Sequence, residues 1–463
     1  LSATRSPGLL AAWSADALHM DHYGGGRMPF GCVGAEGIVQ RLVELAGPDA
    51  GRQISVLDAG GGYASACLGA GSPVVGAALT RAVLEAGYVT DEVASLERSR
   101  LLDRLFTPGG LFAGQFTPGE YHVSGRNSGS EGMELALRLA LESRFDRRRL
   151  RAVPGRADRD VILAFEGAWH GWTGGLLPLL NRRHYRVGLP APAASGPFGL
   201  VTEHIPFGDI DIAKEYFART GHRLLAVVVE PVQGDAGVLV PPRGYLRELA
   251  RLCADSGALL VADEILTFAK TGRFFAMADH EGPIPTDVTV IGKSLGMGAL
   301  STSMVIARRE LTVRGSGAVA TSDLRPITCA VIRSGLDHIH EQGLLERSRA
   351  LGQRLGPLLG RELVGRFPDL YKQARGVGLM HGVELTERAA GRLHDLRVHL
   401  IRSGVYVEFM AGAGRRSHGL PYVFPTMRIA PPLVATAGDI EAIVAGLAEG
   451  SRSFLGSAAW GAR

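Results

Sequence analysis

The sequence predicts an α/β protein built on a mostly parallel sheet, and three observations carry that prediction. Short apolar runs recur: VILAFE (161–166), LLAVVVE (224–230), ALLVADE (258–264) and VTVIGK (288–293), each bounded by turn residues. Runs this short, without polar alternation, suit strands buried on both faces of a parallel sheet. Helical patterns lie between them, and that alternation specifies a doubly wound sheet. Three of the four runs also end on a chemically capable residue: Glu230, Asp263–Glu264 and Lys293. In such sheets ligands bind beyond the carboxyl ends of the strands.

In chain order, residues 1–80 carry the glycine clusters HYGGGRMPFG and DAGGGYASACLGAGSP and read as an irregular arm followed by a short sheet, part of a small domain. The opening LSATRSPGLLAAWSADALHMD lacks a charged region followed by a sustained apolar core, so no secretion signal is expected. Residues 81–335 are expected to form the large domain. Within it, RNSGSEGMELALRLA (126–140) reads as a small-residue turn opening an amphipathic helix. The basic run FDRRRLRAVPGRADRD (145–160) reads as a solvated helix end and loop. In GYLRELARLCADSG (244–257), Leu246, Leu249 and Leu252 fall at helical spacing and Gly257 closes the helix. Residues 336–463 are expected to form a smaller α+β domain, with the helical LDHIHEQGLLERSRALGQRLGPLLGREL, then strand-like RGVGLMHGVEL and MRIAPPL. Two domains suit 463 residues, because single cores stop growing near ~250–300.

Composition excludes several classes. With 46% hydrophobic and 21% charged residues, the chain has the balance of a globular protein. No apolar run approaches the roughly 18–20 residues that span a bilayer, so no membrane segment is expected. A formal charge of +4 with dispersed basic residues argues against nucleic acid. Cys32, Cys67, Cys253 and Cys329 are widely spaced without a CxxC pair. They read as reduced thiols of a cytoplasmic protein, with no metal site.

Lys293 is one of only four lysines and follows a buried run beside the glycine-rich SLGMG. Desolvation there lowers an amine's pKa, and a neutral amine attacks aldehydes; a structural ion pair is the alternative use. Asp263, thirty residues earlier, ends another strand. It could keep a pyridine nitrogen protonated, as pyridoxal phosphate chemistry requires, or cap a helix. At the RNSGSEG turn, the N–H groups of Gly129 and Ser130 with the Ser130 hydroxyl form a natural phosphate cradle. Ser130 with Glu131 could equally be an ordinary N-cap. In FEGAWHGWTGG (165–175), Trp169 and His170 follow a strand and a glycine turn, where a flat ring could stack on a cofactor or join the core.

These segments, in this order, resemble the class III aminotransferases, the ornithine/GABA/glutamate-semialdehyde group of fold-type I pyridoxal phosphate enzymes, from about residue 50 to about 440. The resemblance implies pyridoxal 5'-phosphate as cofactor. It implies NSGSEG as the phosphate turn, Trp169-His170-Gly171 as the stacking turn and EPVQGDAGVLVPPRGYL (230–246), with Glu230, as the signature segment. Asp263 would bind the pyridine nitrogen and Lys293 would form the Schiff base. TSDLRP (321–326) stands where the family has T-x-G-G-N-P, so Thr321 would reach the phosphate of a neighbouring subunit, and a homodimer is expected. MRIAPPL (427–433) matches the arginine-bearing strand.

Departures bear on the substrate. Family members acting on ω-amino acids read H-G-R-T, with the arginine on a substrate carboxylate. Here Trp172 replaces it, which argues against GABA, ornithine or acetylornithine. Leu266 stands where a glutamine holds the cofactor's ring hydroxyl. Asp235 and Arg428 are expected to form the family's acid–arginine pair, with Arg428 released to bind the α-carboxylate of a glutamate-type donor. A Trp-lined, arginine-poor pocket suits a bulky polar or cationic carbonyl acceptor such as an amino-sugar intermediate of antibiotic biosynthesis. Polyamine or β-amino acid substrates, and an aminomutase or epimerase using the same Lys293/Asp263 site, remain open alternatives.

Overall fold

The computed structural model describes residues 13–22, 27–87, 89–90, 92–146, 149, 151–182, 200–312 and 318–461. The start of the expected arm, residues 1–12, lies outside the described residues.

Seven strands form the central sheet. They are β4 (Tyr121–Arg126), β5 (Val161–Phe165), β6 (Val201–Ile205), β7 (Leu224–Val229), β8 (Leu259–Asp263), β9 (Val288–Ile291) and β10 (Ser303–Arg308). Their order is β4-β10-β9-β8-β7-β5-β6. Strands β5 to β9 pair in parallel and only β10 is reversed, so β4 runs with the majority. Every residue of β5, β7, β8 and β9 is buried. Their alternate side chains divide between two cores. Ile162, Val228 and Val261 enter one and Leu163, Val227 and Leu260 the other, which is what an unbroken apolar strand requires.

Helix α1 (Gly129–Glu142) covers one face through Met133, Ala136 and Ala140. It lies close: a β-carbon on Gly132 would stand 2.8 Å from Ser303 Oγ and from Val290. Helix α2 (Tyr245–Ser256) covers the other face, and Gly257 ends it in the left-handed conformation at φ 73°. After α1, Phe145–Asp146 pairs antiparallel with Arg151–Ala152, in place of the plain loop expected there.

Two four-stranded sheets flank this body. The first joins β1 (Phe30–Glu36), β2 (Val39–Glu44) and β3 (Gln53–Asp58) to a C-terminal strand, β13 (Val405–Tyr406). The second contains β11 (Tyr371–Val377), β12 (Met380–Leu385), β14 (Glu408–Met410) and β15 (Thr426–Ile429), all antiparallel. All four cysteines are free thiols. Among the described residues no helix is long and apolar enough to cross a membrane.

Candidate active site

Because β4, β5, β7, β8 and β9 run one way, their carboxyl ends open on one edge. There the chain encloses a cavity of about 1270 Å³, with Ser130, Trp169, Glu230, Asp263 and Lys293 in its walls. At the end of β4 the N-cap of α1 is Ser128, whose Oγ accepts from Glu131 N at 3.2 Å. The alternative of Ser130 as the cap is thereby corrected: its hydroxyl instead accepts from Trp172 N at 3.3 Å. Among the described residues the N–H groups of Gly129 and Ser130 have no acceptor, as expected for a first helical turn. Gly171 sits at φ 121°, and a β-carbon on it would stand 2.5 Å from Ser130 Oγ.

At the end of β8, Asp263 is buried, and its Oδ2 lies 2.8 Å from Nδ1 of fully buried His170. Oδ1 accepts from Ile265 N at 3.1 Å. Among the described residues, the far ring nitrogen of His170, Nε2, is buried without a partner. Glu230, at the end of β7, accepts from Trp169 N at 2.8 Å and Gly234 N at 3.0 Å, so it fixes the backbone of the stacking turn. Burial raises its carboxyl to about 7, and the nearby Asp263 charge adds to the rise. Glu264 points elsewhere: it accepts from Thr267 Oγ1, from Ala276 N at 3.0 Å and from Met277 N at 2.7 Å, stapling its own loop.

Lys293 follows β9 in the left-handed region, at φ 45°. A non-glycine residue there carries about 1–3 kcal/mol of strain, retained only where surroundings over-determine it. Burial lowers its amine to about 8, with the Arg428 charge adding to the decrease and Asp263 and Glu230 opposing it.

The expected Asp235–Arg428 pair does not form. Asp235 is bound to Arg182, which also donates to Gly167 O. Arg428 pairs with Glu408 at 2.5 Å, both nearly fully buried. Register decides this, since Glu408 and Arg428 face each other across β14 and β15. Glu408 also accepts from Tyr63 N at 2.5 Å, and the Arg428 guanidinium lies 5.7 Å from the Tyr63 ring centre. Glu408→Ala would leave the arginine charge buried and unpaired. The expected cost is about 3–5 kcal/mol, read as a fall in denaturant midpoint relative to the Glu408→Gln/Arg428→Gln double variant.

The remaining expected residues divide. Trp169 lines the cavity and stacks on Trp172, ring centres 5.1 Å apart at 24°. Trp172 is half exposed and braces Trp169 from outside the cavity wall. Leu266 is in the wall. Thr321 is exposed and borders a different cavity, of about 930 Å³, with Arg126 and Arg138. Sequence reasoning missed Glu408, on a three-residue strand too short to show a period, and Arg397, which also lines the main cavity. With Arg397 and Arg428 both in the wall, the expectation of an arginine-poor pocket is corrected.

Comparison with known proteins follows the same lines. The family Aminotransferase class-III matches residues 50–449. The chain is 33% identical to ornithine aminotransferase of Bordetella pertussis over 337 residues, 71% of this chain and 73% of that protein. It is 30% identical to mitochondrial ornithine aminotransferase of Oryza sativa over 335 residues, 71% of this chain. The match spans 63% of the rice protein's length. Among solved structures it is similar to ornithine aminotransferase from Toxoplasma gondii, with a TM-score of 0.77 and 25% identity. That likeness covers 97% of this chain and 95% of the other, in which pyridoxal phosphate partly occupies the active site.

Proposed function

The chain belongs to the class-III aminotransferase family, and from that premise we propose that it is a pyridoxal phosphate-dependent aminotransferase. In this reading it moves an amino group from a glutamate-type donor to the aldehyde or ketone of a bulky polar acceptor. One observation carries the reading: Lys293 and Asp263, from adjacent strand ends, line one cavity with the N-terminus of α1. The residues fit the cofactor. Gly129 and Ser130 hold N–H groups without acceptors where a phosphate would sit, and Asp263 presents an anion where a ring nitrogen needs one.

Bound there, pyridoxal phosphate supplies an aldehyde that takes up the amine and a ring that withdraws electrons from the adjoining carbon. The chain's own residues do the rest. Lys293, its amine lowered towards neutrality, carries the cofactor and then moves a proton as general base and acid. Asp263 holds the ring-nitrogen proton, and His170 fixes the rotamer of Asp263 through its 2.8 Å contact. Trp169 forms one wall, stiffened by Trp172. Thr321 lies outside its own chain's cavity, which supports a homodimer in which each copy's Thr321 serves the other's phosphate site.

Arg428 is the donor-carboxylate residue in this reading. Glu408 neutralises it, and a substrate carboxylate exchanges for Glu408. In the double variant Glu408→Gln/Arg428→Gln, which buries no charge, the glutamate KM should rise about ten- to a hundredfold while that of a simple monoamine stays within about threefold. An unchanged glutamate KM overturns the assignment. The acceptor class is tested by loading the enzyme with pyridoxamine phosphate and screening aldehydes and ketones, including those at the terminal carbon of amino sugars, for return of the visible band. Product formed without stoichiometric donor consumption would overturn amino transfer in favour of an isomerase.

A further inference from the structure

Besides Lys293, His170 and Arg428, the cavity wall carries two further histidines and one further arginine: His22, His394 and Arg397. His394 and Arg397 stand three residues apart on the helix Leu393–Arg402, so their side chains share a face. The other arginines around the site are neutralised, Arg428 by Glu408 and Arg182 by Asp235. On the same helix Arg402 pairs with Glu44. Arg397 differs. Among the described residues no carboxylate lies within ion-pair distance of it, and its Nε is buried without a hydrogen-bond partner. Arg397 is half-buried on a cavity wall, where charges attract more strongly than in water.

The acids of the cavity do not answer it. Asp263 is held by His170, Asp235 by Arg182 and Glu408 by Arg428, while Glu230 is raised to about 7 and spends both oxygens on backbone N–H groups. Among the described residues, the cavity wall at Arg397 therefore holds a positive charge with no counter-ion. A planar guanidinium with open donors matches a carboxylate or phosphate, both of which it can bind through two parallel hydrogen bonds.

We propose that Arg397, assisted by His394, binds an anionic group, a carboxylate or a phosphate, at the end of the carbonyl acceptor remote from the reacting carbon. This rests on the aminotransferase reading and narrows its bulky polar acceptor to an acidic one. It leaves Arg428 to the donor. Arg397 is a binding residue and takes no part in proton transfer.

The experiment uses the full chain loaded with pyridoxamine phosphate and two matched pairs of acceptors, adipic semialdehyde against hexanal and glyceraldehyde phosphate against glyceraldehyde. Return of the visible band is followed in wild type, Arg397→Gln and Arg397→Lys. The expected result is that wild type favours the anionic member of at least one pair roughly tenfold to a hundredfold. Arg397→Gln should lose that preference and leave the neutral aldehyde unchanged, with Arg397→Lys between. The carboxylate and phosphate pairs tell the two anions apart. Calorimetric binding of ε-hydroxycaproate against hexanol supplies a readout free of chemistry, and the same loss of preference is expected in Arg397→Gln. An equal effect of the variant on charged and neutral partners overturns the proposal. So does a raised glutamate KM with unchanged acceptor preference, which would move Arg397 to the donor. If no aldehyde restores the band while the calorimetric preference holds, the aminotransferase reading fails and the anion site stands.

Discussion

Lys293→Ala is expected to lower turnover by about four orders of magnitude or more and to remove the visible absorption of lysine-bound cofactor. The size follows from two roles lost together, covalent attachment and general acid–base transfer, the second alone contributing about 10²–10⁴-fold. Folding should not be the cause. The substitution removes a buried amine whose charged form is destabilised, and alanine meets the same φ of 45° that lysine already tolerates. A denaturant midpoint at or above that of wild type is expected; turnover within tenfold of wild type would sink the assignment. External methylamine should restore a part of the activity, because the missing group is a small base. The same amine gives a pH signature in the cofactor-free protein. With its pKa near 8 instead of 10.5, about a tenth is neutral at pH 7, against less than a thousandth for an ordinary lysine. Reaction with a simple aldehyde should therefore rise about tenfold per pH unit up to pH 8 and level off above it. A rise continuing past pH 10 would show that the amine is not desolvated.

Asp263→Asn is expected to cost about 10²–10⁴-fold in turnover while leaving stability nearly unchanged. The amide keeps the shape of the side chain: its oxygen accepts from Ile265 N and its NH2 donates to His170 Nδ1, the imidazole carrying its proton on Nε2 instead, so both neighbours stay satisfied. What disappears is the negative charge that would hold a proton on the ring nitrogen of the cofactor. Asp263→Ala should cost a similar factor in rate and, in addition, about 1–3 kcal/mol of stability, because His170 Nδ1 would be left buried and unpaired. A comparison of kcat and unfolding midpoints across the two variants separates the electrostatic role from the packing role. If Asn retained more than a tenth of wild-type turnover, the charge would not be the working feature.

The positions of Lys293 and Asp263 could be read from the chain because their signals are local. Four unbroken apolar runs state which residues are buried strands, and the residue that ends such a run is delivered to one edge whenever neighbouring strands are parallel. The helix start at Gly129 was legible for the same reason, since small residues before an amphipathic period mark an N-terminus. Its cap was misjudged by two positions. Ser128 and Ser130 are chemically the same, and only the backbone conformation at Ser128, φ −143° and ψ 160°, distinguishes them.

Pairings between charges were less legible. Asp235 and Arg428 are 193 positions apart, and nothing along the chain says which arginine an acid will meet. Arg182 reaches Asp235 from the end of the stacking-turn segment, and Glu408 reaches Arg428 because strand register sets them opposite each other. The tryptophan at position 172 suggested an arginine-poor pocket. That inference fails because Arg397 enters from a helix of the C-terminal region with no motif attached to it.

By itself the sequence determined the strand–turn–helix order, the parallel sheet, and the amine and carboxylate that end adjacent strands. Each of these follows from residues within about ten positions of one another. Tertiary structure alone decided which acid silences Arg428, that His170 holds Asp263, and that Arg397 lines the cavity with no ion-pair partner among the described residues. Such contacts depend on strand register and on segments that come together from distant parts of the chain, and a buried charge is stable only beside whichever opposite charge the folded backbone places there.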